Sequence, residues 1–332
     1  MNDNALSRRG FFGAVANAAS IAPENLPVNT TSIDPNRVRQ PRISALIDAD
    51  GYTPTANFYR QQLRHVPQIT PVFWTLRLYG LVDKPLALTH EDLLAMPTTT
   101  LPCTLACVGS SELNTLVGHA LWGGVPVLRL LEQVGVKANA RYAQFYAADG
   151  YTTFIETDQL DGALLAYQMN GERLPREHGY PARLIVPGLY GYKLPKWIQR
   201  IELTNTPQPG FWEERGWSAS GALQTGSAIL SPHHMESVSQ MVLLSGVAYS
   251  GECTITAVEI SVDDGPWMPV PITSSDPLSW SPWQIEWTAP APGDYLIKVR
   301  ASDSSGFTQA EHPPAFPNGP SAVPSIVVRV IA

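Results

Sequence analysis

The chain lacks most of the features that assign a sequence at sight. No apolar run approaches the ~18 residues that a membrane-spanning helix needs, so no such span is expected. Charged residues make up only 15% of the 332, and the net charge of -7 comes without a basic block. That balance excludes a disordered or coiled-coil chain and a binder of double-stranded nucleic acid. There are three cysteines, Cys103, Cys107 and Cys253, and an odd number cannot close a disulfide framework. The spacing of Cys103 and Cys107 suits one helical turn, which rarely has disulfide geometry. A four-ligand zinc site is missing as well, because His119 is the nearest histidine after Cys107 and no second cysteine pair stands close. G-x-G-x-x-G after a strand, a Walker loop and a G-x-S-x-G elbow are all absent, which removes the common nucleotide-binding and serine-hydrolase signatures.

What remains is a chain with 44% hydrophobic residues, long enough for a sizeable core and about two domains. Thirty prolines against 25 glycines signal many short elements joined by rigid turns. The N-terminus reads "ALSRRGFFGAVANAASIAP". Arg8 and Arg9 before Phe11 and Phe12 are similar to a twin-arginine export signal, with Ala16-Asn17-Ala18 as an A-x-A cleavage pattern. A tail in which two arginines meet by chance is the alternative. Export would place the protein in the periplasm; otherwise it stays cytoplasmic.

Residues 1–40 therefore read as a signal and N-terminal arm, 41–225 as a mixed α+β unit, and 226–332 as an all-β unit. "WTLRLYGLV" alternates as a strand does, and "LTHEDLLAMP" predicts a short helix with Thr89 as its N-cap and Pro97 beyond its end. Val127, Leu130, Leu131 and Val134 recur at helical spacing. "YAQFYAADGY", "RLIVPGLYGY" and "KWIQRIELTN" predict further strands. After residue 226, "SQMVLLSGVAYSG", "CTITAVEISVDDGPW", "WSPWQIEWTAP" and "GDYLIKVRASDSSG" alternate in polarity between turns such as Asp264-Gly265 and Ser305-Gly306. Regular short strands over about 100 residues predict an immunoglobulin-like sandwich, without the Cys–Trp–Cys pattern of antibody domains.

Two stretches carry chemistry. In "TLACVGSSELN", Cys107 reads as a buried small hydrophobe, half of a disulfide or the anchor of a metal. In "MNGERLPREHGYPARLIVPGLYGYKLPKW", helix breakers recur every few positions and pin an irregular backbone. His178, Arg183 and Lys196 punctuate this apolar stretch. Cations in such a setting need an anion, either a local carboxylate or a bound phosphate.

These residues carry a resemblance. "TLACVGS" with Trp122 downstream resembles the molybdenum-cysteine segment of the sulfite oxidase family of molybdenum-pterin oxidoreductases. "LLAYQMNGERLPREHGYPARLIVPGLYGYKLPKW" resembles that family's long pterin-binding signature. "MVLLSGVAYSG", "VEISVDDGPW", "WQIEW" and "VRASDSSGFTQ" resemble its C-terminal dimerisation domain. The likeness runs in consistent order over roughly residues 50–310. It implies a molybdopterin-binding α+β domain followed by an immunoglobulin-like one, a homodimer, and one Mo-molybdopterin per chain.

It also implies roles. Cys107 falls on the position of the single protein thiolate on molybdenum, a soft, electron-donating ligand. His178, Arg183 and Lys196 fall on pterin-binding positions, with backbone of Leu194 and Pro195 on the same turn and Tyr59 and Arg60 over the other face. Asp149 and Tyr151 fall near a family aspartate and a substrate-side tyrosine, although Tyr151 also reads as a strand-end aromatic. The match breaks where the family's sulfite-facing arginine is replaced by Gln61, and again after the cysteine, where Cys107-Val108-Gly109-Ser110 lacks the family's Asn. A neutral amide weakens anion recognition. Arg60 is adjacent, but a strand neighbour points to the other side.

Two enzymatic readings follow from the resemblance. One is oxygen-atom transfer at a Mo-oxo centre, oxidising sulfite or a similar sulfur compound. The other is the reverse reaction on a neutral sulfoxide or N-oxide. With no C-x-x-C-H haem site in the chain, electrons would pass to an external carrier such as a cytochrome c. A cofactor-free binding module built on the sandwich is the third, non-enzymatic reading.

Overall fold

The computed structural model describes residues 47–109, 116–272, 278–312 and 316–331. The arginine pair, the A-x-A pattern, and Ser110 and Ser111 lie outside the described residues. In chain order the first elements are β1 (Thr75–Gly80), β2 (Leu86–Thr89), α1 (His90–Ala95), β3 (Thr99–Ala106), β4 (Val117–Pro126), α2 (Val127–Val134), β5 (Tyr142–Ala147) and β6 (Thr152–Glu156). Then come β7 (Leu164–Met169), β8 (Glu172–Arg173), β9 (Arg183–Ile185) and β10 (Ile198–Thr204). One sheet has the order β2-β1-β10-β5-β6; a second runs β3-β4-β7-β8, with β9 also paired to β7.

The two α-helices form as their patterns require. Thr89 Oγ1 accepts from the Asp92 backbone N–H while the Asp92 carboxylate accepts from the Thr89 N–H, a reciprocal cap that satisfies two orphan donors. Val127, Leu130, Leu131 and Val134 form the buried face of α2. Burying each leucine contributes about 1.5–3 kcal/mol. At six and eight residues, however, these helices are a small part of the chain. The fold is mostly β with few helices, so the expected mixed α+β unit holds less helix than that class suggests. The connections are short 3-10 turns and irregular loops, as frequent proline and glycine favour.

The chain continues with β11 (Gly226–Ser231), β12 (Ser237–Val238), β13 (Met241–Tyr249), β14 (Ile255–Val262), β15 (Met268–Val270), β16 (Ser281–Thr288), β17 (Gly293–Asp303) and β18 (Ser325–Val330). They form one sheet of order β11-β13-β16 and another of order β12-β18-β17-β14-β15. Leu244 and Trp283 of the first meet Ile260, Val299 and Val328 of the second in one apolar cluster. The turn expected at Asp264-Gly265 is centred one residue earlier, on Asp263 and Asp264, which take positive φ, while Gly265 does not.

A separate cluster joins the end of the second sheet to β11 and β13. Ala106, Val108 and Val117 pack there with Tyr190, Tyr192, Leu230 and Tyr249. This cluster braces the point at which β3 ends and Cys107 follows. The helical-turn spacing proposed for Cys103 and Cys107 is not realised. Cys103 lies on β3 and is buried in the core, Cys107 follows the strand, and both are free thiols. Four residues of extended chain span about 13 Å, well beyond the reach of a disulfide.

Candidate functional site

A cavity of ≈ 340 Å³ opens beside the end of β3. Ten of the eleven site residues expected from the sequence line it: Tyr59, Gln61, Cys107, Asp149, Tyr151, His178, Arg183, Leu194, Pro195 and Lys196. Arg60 is not among its lining residues; its Nη2 lies 3.3 Å from Glu177 Oε1. The alternation argument used for Arg60 does not apply, because residues 58–60 are not in a strand.

One side of the cavity is cationic. Arg183 opens β9, where it sits opposite Ala166 of β7, and it is buried. Its guanidinium lies 4.9 Å from the Trp122 ring and donates through Nη1 to the His178 carbonyl at 3.1 Å, while its Nε is buried without a partner. Burial lowers the Arg183 pKa to about 10. His178 ends a 3-10 turn, Arg176–His178, and packs edge-on against Phe58 at 5.7 Å. Its Nε2 is buried and unpartnered. Burial, with Arg183, Lys196 and Arg60 adding repulsion, pushes the His178 pKa down to about 3, so the ring is neutral at pH 7.

Lys196 completes this side. Its Nζ donates to the Glu177 carbonyl at 2.8 Å and to Gln62 Oε1 at 3.4 Å, both uncharged acceptors. Burial and then Arg183 push its pKa down to about 7, against opposing pulls from Asp149 and Glu177. Two glycines permit the crowding. At Gly179 φ is +120°, and an added Cβ would lie 2.9 Å from Arg183 Cβ and 3.2 Å from Lys196 Cβ. At Gly118 a Cβ would strike the Phe58 ring at 2.7 Å, so glycine there is what lets Phe58 seat against His178.

Cys107 is half-buried, with its N–H bonded to the Leu116 carbonyl at 2.9 Å. Burial raises its thiol pKa, and a Gly109 backbone hydrogen bond pulls the other way. Asp149 and Tyr151 sit on the turn after β5, where the Tyr151 N–H donates to Asp149 Oδ1 at 3.0 Å. The Tyr151 hydroxyl donates to the Tyr192 carbonyl at 2.5 Å. Burial, then the Glu213 charge, raises its pKa well above the ordinary value, so the phenol is neutral.

The other side of the cavity is aromatic, which no motif in the sequence announces. Tyr192, Phe211 and Trp212 line it, with Phe211 and Trp212 edge-to-face at 5.2 Å and Trp217 behind Trp212 at 6.3 Å. Behind these rings Lys193, fully buried, places Nζ 2.7 Å from Glu213 Oε1. No short motif marks these residues, since Lys193 and Glu213 meet across twenty positions of chain.

These donors fit a molybdenum-pterin group. Among the described residues no set of three or more His, Cys, Asp or Glu stands together to hold a metal ion. A metal at Cys107 would therefore need its remaining ligands from a bound organic group, as a dithiolene provides. The unpartnered Nε atom of Arg183 and Nε2 atom of His178, with Lys196 held against neutral acceptors, match a phosphate on that group. Tyr59 is placed in the cavity with them.

Comparison with known proteins agrees with this donor set. Residues 63–212 match the family described as the oxidoreductase molybdopterin binding domain. The chain is 40% identical over 151 residues to the uncharacterized oxidoreductase YuiH of Bacillus subtilis, covering 45% of this chain and 74% of that protein. It is 28% identical over 296 residues to sulfite oxidase of Arabidopsis thaliana, covering 73% of this chain and 75% of that one. In fold it is similar to the sulfane dehydrogenase SoxCD of Paracoccus pantotrophus, with a TM-score of 0.73 at 24% identity over 90% of this chain and 89% of the other.

Proposed function

We propose, for a chain that belongs to the sulfite oxidase family of molybdopterin-binding oxidoreductases and is therefore a Mo-molybdopterin enzyme, that it transfers an oxygen atom to or from a small sulfur or nitrogen centre and exchanges electrons with a separate carrier. The observation that carries the reading is the meeting, in one cavity, of the Cys107 thiol with Arg183 and Lys196, whose hydrogen bonds go to uncharged acceptors. When bound, the cofactor supplies two-electron oxygen-atom chemistry. Cys107 would give it the protein thiolate, releasing a proton that burial otherwise keeps on the sulfur. Arg183 and Lys196 would hold the pterin phosphate by charge-assisted hydrogen bonds, and neutral His178 would offer Nε2.

On the substrate side, Tyr151 presents a neutral hydroxyl, fixed by its bond to the Tyr192 carbonyl. Gln61 presents a neutral amide where the family's resemblance puts an arginine. Neither group neutralises an anion. Together with the wall of Phe211 and Trp212, this favours a second, narrower reading, the reduction of a neutral organic sulfoxide or N-oxide. Steady-state assays separate the directions: sulfite with ferricyanide against dimethyl sulfoxide and trimethylamine N-oxide with reduced methyl viologen. Turnover of the oxides with a sulfite kcat/KM at least ~100-fold lower supports the narrower reading. The reverse ratio supports sulfite oxidation.

Four further points belong to this proposal. Residues 41–225 would hold the cofactor and 226–332 would form the immunoglobulin-like module. The latter would pair two copies into a homodimer. The carrier would be a protein such as a cytochrome c. Export by the twin-arginine route would place the enzyme in the periplasm.

A further inference from the structure

The buried Lys193–Glu213 pair plays no part in the site described above. Lys193 Nζ and Glu213 Oε1 are 2.7 Å apart, with side chains 0% and 4% exposed. Thr153 of β6 donates its hydroxyl to the same Glu213 oxygen at 2.6 Å. Lys193 Nζ also lies 4.4 Å from the Phe154 ring centre, and Glu213 Oε2 is buried without a partner. Burying two charges gains little stability over apolar residues of the same size, so such a pair is better explained by the one geometry it enforces.

That geometry is visible in the sequence neighbours of the three groups. Thr153 is two residues from Tyr151, Lys193 is next to Tyr192, and Glu213 is next to Trp212. All three of those rings line the cavity. The network thus ties three separate segments at a single knot, directly behind the aromatic side. The residues of the cationic side, His178, Arg183 and Lys196, take no part in its hydrogen bonds. The end of the wall segment is held elsewhere: Ser218 donates its N–H to the Pro317 carbonyl at 3.0 Å, its carbonyl accepts from the Tyr192 hydroxyl at 2.6 Å, and Trp217 packs on Phe316 at 5.4 Å. Within 210–217 the backbone bonds are local, Glu214 N–H to Gly210 carbonyl at 2.9 Å and Trp217 N–H to Trp212 carbonyl at 3.1 Å among them, and the Glu213 carboxylate is what ties the Trp212 turn across to Thr153 and Lys193.

We propose that Lys193, Glu213 and Thr153 are positioning residues that set substrate selectivity by fixing Trp212 and its neighbours at a defined distance across the cavity. The proposal deepens the oxygen-transfer reading and rests on it for the identity of the substrate side. An organic oxide with a bulky substituent would meet the fixed wall and be disfavoured against a dimethyl one.

The test uses full-length enzyme isolated with its cofactor, comparing wild type with Lys193→Met/Glu213→Leu, which removes both charges together, and with Thr153→Val, which removes one leg and buries no charge. Three quantities are read: molybdenum per chain, hydrogen exchange of the peptide spanning 210–217, and the ratio of kcat/KM for dimethyl sulfoxide over methyl phenyl sulfoxide. We expect unchanged molybdenum, exchange at 210–217 faster by ~10-fold or more in the double variant, and a selectivity ratio lowered at least ~5-fold through KM rather than kcat. Thr153→Val should move exchange and ratio the same way by less, and it decides the matter if the double variant does not fold. Unchanged exchange, an unchanged ratio, or a loss of molybdenum would overturn the proposal. Wild-type enzyme that reduces neither sulfoxide would count against the function proposed above, while the exchange data would still decide whether the pair holds the wall.

Discussion

Lys193, fully buried, and Lys196, half-buried, stand three residues apart on the same loop, yet they meet different partners. Lys193 has a carboxylate at 2.7 Å and aromatic rings around it. Lys196 also has a ring at 4.4 Å, that of Trp197, but its hydrogen-bond acceptors are a backbone carbonyl and an amide oxygen, and it shares its space with Arg183. Burial lowers the pKa of both. Only Lys193 is answered by a partner within the described residues that neutralises it. A cation held in such a place without an ion-pair partner either sheds its proton, as the lowered pKa of Lys196 allows, or is met by an anion from outside the chain, as Arg183, which stays charged, requires. The difference between the two lysines therefore separates the part of the cavity that is finished from the part built for a ligand.

The largest effect that would sharpen this contrast is on stability. Lys193→Met strands Glu213 as an unpaired buried charge and should cost about 3–5 kcal/mol in urea unfolding of the cofactor-free protein. Lys196→Met removes a cation that has no carboxylate in ion-pair contact, only the weaker pull of Asp149 and Glu177. It should leave that stability within about 1 kcal/mol of wild type or raise it, while cofactor retention through gel filtration falls at least ~10-fold. Equal losses of stability in the two variants would break the comparison.

Titration gives a smaller, signed effect. His178 has a folded pKa of about 3 against an ordinary 6.5, so the unfolded chain binds more protons between those values. Its contribution is therefore complete above pH 6.5 and is lost as the pH falls towards 3, by at most about 1.4 kcal/mol per pH unit. Lys196, at about 7 against 10.5, acts in another window: cofactor-free protein gains stability as the pH rises from 7 towards 10.5. His178→Gln should flatten the acid limb and Lys196→Met the alkaline one, each read from urea midpoints across pH. Wild-type slopes retained in both variants would contradict the assigned cause.

The smallest expected effect concerns the substrate side. Gln61 is exposed at the cavity, so Gln61→Arg adds a partly solvated cation worth about 1 kcal/mol. KM for sulfite should fall roughly 5-fold and KM for dimethyl sulfoxide should hardly change. A lower KM for both would mean that the position does not read substrate charge.

The sequence was most informative where chemistry is local. The Thr89 cap, the buried stripe of α2 and the run from His178 to Lys196 follow from residues close along the chain, and ten anticipated site residues share one cavity. It was silent where distant segments meet. The local chemistry of "YGYKLPKW" does not tell Lys193 from Lys196; the family resemblance picks out Lys196, and the carboxylate that answers Lys193 arrives from Glu213. Phe211 and Trp212 belong to no periodic segment, so their place in the wall could not be read. Strand alternation does not apply to Arg60, which lies in an irregular stretch, and helical spacing does not apply to Cys103 and Cys107, because β3 is extended.

The central claim is that Cys107 and the cations facing it hold a molybdenum-pterin group. The most direct test is the molybdenum-to-protein ratio of folded wild type and Cys107→Ser, both purified from a host that makes the cofactor. We predict about one molybdenum per wild-type chain and less than about a tenth of that in the variant, with both chains folded. Folded wild-type protein without molybdenum, or a serine variant that retains it fully, would contradict the account.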